Sequence, residues 1–172
     1  MTAENKKDLI IELDSLFESF DNVKEMEQNG PTDEEQQAFL EKFERTKMDV
    51  IKPAMIEIGK YLEAKGHSFQ IVDEAGLHID NPRIKMEIYP KIPGNTSIQE
   101  PEFPTISFIA APDVLTVGIE VRDGMPKLPG LRRGHMTSLD SITADYVRQQ
   151  IVAVLKINFT KRAQKAHRSA IT

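Results

Sequence analysis

The chain has 172 residues, 40% hydrophobic and 28% charged, with 27 Asp and Glu against 22 Lys and Arg for a formal net charge of −5. That balance suits one folded domain with a real core and excludes a disordered chain. No apolar run approaches the ~20 residues that span a bilayer, which excludes a membrane helix. The absence of Cys excludes disulfides, thiolate metal ligands and a cysteine nucleophile, and no Trp with 6% aromatic residues leaves little material for base-stacking platforms.

The first elements are helical. Leu9, Leu13, Leu16, Phe20 and Val23 recur at spacings of four and three, the seam of a packed helix, and Asn29-Gly30-Pro31 stops it. Thr32-Asp-Glu-Glu35 then matches a capping box and opens a second helix. Its apolar stripe runs Phe39, Phe43, Val50, Ile51, Ala54, Met55, Ile58 and Leu62, and Lys65-Gly66 supplies the stop. The short connection predicts an antiparallel helical hairpin over 1–66. Continuous helix over 33–65 would run about 50 Å at ~1.5 Å per residue, longer than a chain of this size accommodates. Pro53 lacks the donor for the carbonyl of Asp49, so a kink or break is expected at 49–53.

At Gly66 the apolar period changes from 3.6 to 2. Strands are predicted over 67–73, 77–80, 83–89, 105–110 and 114–122, separated by turn residues such as Asn81-Pro82 and Ala111-Pro-Asp113. About five strands over 67–122 with one covered face imply an antiparallel sheet. A basic loop is expected over 123–142. A C-terminal helix over 143–160 is expected to pack on the sheet through Val147, Ile151, Val154 and Leu155, with a basic tail over 161–172. The whole reads as a single α+β domain.

Charge is distributed unevenly along this order. Residues 1–66 hold 16 acids and 9 bases, residues 67–122 hold 8 and 4, and residues 123–172 hold 3 and 9. An acidic front and a basic back can attract each other within a fold, attract a second copy, or present a basic face to a partner.

The loop from Gly124 to His135 is the foremost site candidate. Arg132 and Arg133 can hold a phosphate or carboxylate bidentately, the glycines allow close backbone approach, and His135 is a candidate for proton transfer. A proline-stiffened crossover loop accounts for the same residues, and no nearby acid or nucleophile completes a catalytic set. The tail Lys161–Arg168 offers phosphate contacts, but basic residues ending a helix ordinarily complement its dipole, and overall acidity opposes nucleic-acid binding. Asp73, Glu74, His78 and Asp80 form an acidic cluster without any established metal-ligand spacing. Pro90–Pro93, Pro101–Pro104 and Pro126–Pro129 are Pro-x-x-Pro segments, read as loop stiffeners. No GxSxG, Walker A or GxGxxG motif occurs.

These features point to a binding or assembly module that is not an enzyme, although the sequence leaves enzymatic activity open. The alternative is a small anionic-ligand protein or enzyme using Arg132, Arg133 and His135; nucleic-acid binding through the basic C-terminal region is weaker still. No cofactor or metal is implied. The expected partners are a second copy of the chain, a further protein, or a small anion, with no membrane. The polar N-terminus, Met1 to Asp8, lacks a signal peptide's apolar stretch, so the cytoplasm is the expected location. A homodimer is expected to bury part of the second helix, and Val72, Tyr89 and Ile109 are expected on the opposite sheet face.

Overall fold

Thr32 opens the first described helix through a reciprocal cap: its Oγ1 accepts the Glu35 amide at 3.2 Å, and Glu35 Oε2 accepts the Thr32 amide at 2.8 Å. The structure, a computed structural model, describes residues 30–74, 81–91, 103–122 and 133–169. The expected first helix, and with it the hairpin, lies outside the described residues.

The helix α1 (Asp33–Thr46) runs into a π turn at Lys47–Ile51, and α2 (Lys52–Ala64) follows with Pro53 in its first turn. The break expected at 49–53 does not occur: the backbone stays helical from 33 to 64 through a widened turn, in which the Lys52 amide bonds to the Lys47 carbonyl five residues back. Phe39, Phe43, Lys47, Ile51 and Met55 are all buried at successive spacings of four. In a regular α-helix that spacing precesses by about 40° per step, and the wider turn absorbs part of the drift. This corrects the expected stripe: Lys47 is buried within it, whereas Val50 is only half-buried. At the end of α2, Gly66 takes φ +87°, the Gly66 amide bonds to Glu63 and the His67 amide to Leu62, the C-terminal glycine cap that Lys65-Gly66 predicts.

The described strands form one antiparallel sheet in meander order: β1 (Ser68–Glu74), β2 (Arg83–Tyr89), β3 (Thr105–Ala111), β4 (Thr116–Arg122) and β5 (Arg133–Ser138). Predicted strand 77–80 lies outside the described residues. The fifth strand instead occupies part of the expected 123–142 loop, which corrects that boundary. Its Gly-His-Met-Thr-Ser core lacks alternating large apolar residues, because His135 and Thr137 take the helix-facing positions opposite Ile119 and Val117. Strand β4 starts at Thr116 rather than residue 114, since Leu115 has φ +50° and closes the β3–β4 turn.

After a 3-10 turn at Leu139–Ser141, α3 spans Ala144–Ser169. Thr143 caps it, its Oγ1 accepting the Tyr146 amide at 3.1 Å. The expected tail is thus helical as far as Ser169: Lys, Arg, Ala and Gln are good helix formers, and their charge does not prevent α3 from continuing.

Helices α2 and α3 pack side by side on one sheet face. The core lies between, with Ile84, Met86 and Ile88 of β2, Ile106, Phe108 and Ala110 of β3, and Val117 and Ile119 of β4 meeting Met55, Leu62, Val147, Ile151 and Val154. Arg148 ties the helices together through Glu57 Oε2, at 2.6 and 3.0 Å. The result is α+β, as expected. Among the described residues, most of the apolar stripe of α1 and α2 is buried within its own chain.

Candidate functional site

The sheet face away from the helices is set by strand parity. It carries Arg83, Lys85, Glu87 and Tyr89 on β2, Ser107 and Ile109 on β3, and Gly118 and Glu120 on β4. Val72 and Tyr89 take the expected parity with Ile109 there. At the β1–β3 side this face is polar but not open: Glu87, Thr105 and Ser107 are buried, and the Phe103 ring lies 4.7 Å from Tyr89.

At the β4–β5 side the face hollows into a shallow groove of about 320 Å³ between Asn81, Ile109, Ala111, Gly118, Glu120, Gly134 and Met136. Glycine makes the hollow. Gly118 pairs with Met136 and Gly134 with Glu120, so two neighbouring strands present no side chain at adjacent positions of one face. A Cβ on Gly118 would stand 3.4 Å from Met136 Sδ, and one on Gly134 would stand 3.2 Å from the Ile119 carbonyl. Met136, 54% exposed, forms the outer rim.

Beyond that rim lies the sheet edge. Among the described residues no strand pairs with the outer side of β5. Natural edges are ordinarily blunted by Lys, Pro, bulges or inward charges. Residues 134–138 contain none of these, and Gly134, His135, Met136 and Ser138 are exposed. The opposite edge differs: on β1, Asp73 bonds Lys47 at 2.8 Å and Glu74 meets Arg83 at 3.1 Å.

Of the sequence-predicted site residues, Arg132 lies outside the described residues. Arg133 opens β5 opposite Val121, and His135 lies opposite Ile119. The His135 ring reaches toward α3, its Nε2 2.7 Å from the Tyr146 hydroxyl. The partner that orients it is a phenol rather than a carboxylate. Ser138 and Ser141 pair their hydroxyls at 2.7 Å. His67, expected to open the first strand, lies one residue before it; its Nδ1 accepts the Lys91 amide (3.0 Å) and its ring packs 5.4 Å from Phe159.

In the expected acidic cluster, His78 and Asp80 lie outside the described residues, and Asp73 and Glu74 are held in the ion pairs above. Among the described residues no group of three His, Asp or Glu is placed to hold a metal ion, and no helix is long and apolar enough to cross a membrane. Sequence reasoning missed the edge and the groove. The available signal was the pair of glycines, each followed at alternate positions by residues of one parity. No protein family, curated protein or solved structure matches the chain.

Proposed function

We propose that the protein is a non-enzymatic binding and assembly module that takes up an additional β-strand from another polypeptide along β5. The observation that carries this reading is the exposed outer edge of residues 134–138, which holds no Lys, Arg, Asp or Glu. An extended segment gains main-chain hydrogen bonds at such an edge, and alternate side chains seek pockets on the sheet face. The groove beside Gly118 is placed to take one of those side chains. The alternative, an anionic-ligand site built on Arg132, Arg133 and His135, has less support, because Tyr146 engages the His135 ring on the helix-facing side. A cytoplasmic location belongs to the same reading.

Site-specific photo-crosslinking tests it. A benzophenone amino acid at Ser138 is expected to yield covalent adducts with polypeptide on irradiation inside producing cells, identified by mass of the joined peptides. The same group at Tyr61, exposed on α2, is the control. Adduct yields at 138 no higher than at 61 would overturn the proposal.

A further inference from the structure

Resting on the strand-addition reading, we infer that the added strand is β5 of a second copy of this chain, paired antiparallel about a twofold axis through Met136. The two sheets then join into one of ten strands.

Symmetry restricts the register. Antiparallel neighbours across an edge are related by a twofold axis perpendicular to the sheet, and directly opposed residues point to the same face. Each residue must therefore meet one of its own parity. The register that uses all of 134–138 centres on Met136: Gly134 meets Ser138, His135 meets Thr137, and Met136 meets itself. No two like formal charges are opposed within the paired segment.

Three features of the strand favour its own copy over an unrelated segment. The pairing is balanced in size, with a glycine opposite a serine at each end and the flexible methionines at the centre. Each exposed Met136 loses its solvent contact to the other and closes the rim of both grooves. The strand's ends also carry opposite charge: Arg133 begins β5, and Asp140 lies just past its end, exposed and bridged to Lys42. Antiparallel pairing brings the basic start of one strand beside the acidic end of the other.

Size sets the affinity. Five residues of paired edge and two methionines bury less than the ~1,200 Å² of a standard stable interface. The association is therefore expected to be a concentration-dependent equilibrium rather than a permanent dimer.

Sedimentation of the full chain between about 1 and 500 µM is expected to show mass rising from 19.5 kDa toward twice that value. Met136→Lys sets two ammonium groups at the axis on an exposed position and is expected to weaken association at least tenfold without lowering stability. Register is read by disulfide formation, which is clean because the chain has no native cysteine. Met136→Cys is expected to oxidise to a covalent dimer at least tenfold faster than Ser138→Cys, whose symmetry mate stands four residues away along the strand. A monomer at every concentration, masses growing past the dimer (as pairing of β5 to the β1 edge would give), or a dimer indifferent to Met136→Lys would each overturn the inference. A monomer whose benzophenone at 138 still captures a foreign polypeptide would overturn the second copy while leaving strand addition standing.

Discussion

The ring of Phe69 lies directly over the bare Cα of Gly59: a Cβ added there would stand 2.3 Å from ring Cζ and 2.4 Å from Cε2. A glycine within a helix costs about 1 kcal/mol relative to alanine. Here the missing side chain is what lets α2 approach β1 closely enough for the phenyl ring to fill the space between them.

Gly59→Ala therefore sets two opposing effects against each other. Overpacking costs about 1–3 kcal/mol, and the gain in helix propensity returns about 1. A net loss of about 1 kcal/mol is expected in urea unfolding. In a Phe69→Leu background, with no ring to displace, the same substitution is expected to be neutral or stabilising. Equal costs in the two backgrounds would show that the ring is not what excludes a side chain at 59.

Lys47 is the one charged residue in the buried stripe, its side chain 1% exposed and its Nζ 2.7 Å from Glu44 and 2.8 Å from Asp73. Burial pulls its pKa down, but hydrogen bonds to Asp73 and Glu44 and their negative charge outweigh this and hold it above the ordinary lysine value. Because the folded-state pKa is raised, the ionised lysine contributes stability below the ordinary value near 10.5, and that contribution fades as pH rises through the folded pKa. Lys47→Met is expected to cost about 1–2 kcal/mol at pH 7, less than a fully buried pair, since Asp73 and Glu44 are 29% and 42% exposed and can regain water. The difference between wild type and variant should shrink above pH 10.5. A difference that stays constant to pH 11.5 would assign the loss to packing instead.

Much of this fold is legible in the sequence because one residue often carries the decisive constraint. Thr32 and Glu35 fix a cap locally, Gly66 supplies the left-handed stop, and the alternation of Ile84, Met86 and Ile88 states which face is covered. The burial of Lys47 is not legible locally, because it depends on Asp73, 26 residues away on β1. Strand β5 is hard to read because polar His135 and Thr137 take its helix-facing positions, so Gly134-His-Met-Thr-Ser138 shows no apolar alternation. The groove was less legible still, since Gly118 and Gly134 become neighbours only once the register of β4 and β5 is set. The sequence offers His135 as part of an anion site, and nothing local names Tyr146, whose hydroxyl lies 2.7 Å from its Nε2.

The π turn is expected to depend on Pro53. In a regular helix the proline ring would press on the carbonyl of Asp49 and leave it without a donor, a cost of about 3 kcal/mol. The extra residue in the turn at 47–51 relieves that conflict while keeping Phe39 and Met55 facing the same core. Deleting Met48, which is exposed, should tighten the turn toward regular helix and destabilise the chain by about 2–3 kcal/mol. Combining the deletion with Pro53→Ala should recover at least half of that loss. Additive effects of the two changes in denaturant unfolding would mean that proline and π turn are unrelated.

Glu87 gives the clearest acid-side test. Its side chain is 11% exposed on the sheet face away from the helices, with Lys85 Nζ 2.6 Å from Oε1 and the Tyr89 hydroxyl donating to Oε2 at 2.7 Å. Burial pushes its pKa up, but the hydrogen bonds from Lys85 and Tyr89 and the lysine's charge outweigh that and hold it below the ordinary carboxylate value. A lowered folded-state pKa means the ionised group contributes stability above the ordinary value near 4.5, and the contribution is lost as pH falls through the folded pKa. Glu87→Gln keeps the shape and removes the charge, so it is expected to be destabilising at pH 7 by about 1–2 kcal/mol, the worth of a charge-assisted hydrogen bond. Below pH 4.5 the wild type should converge on the variant. Tyr89→Phe removes one of the donors, so it should cost about 1 kcal/mol at pH 7 and move the convergence to higher pH. Parallel unfolding curves for wild type and Glu87→Gln from pH 7 to pH 3 would show that the carboxylate is not held ionised by its neighbours.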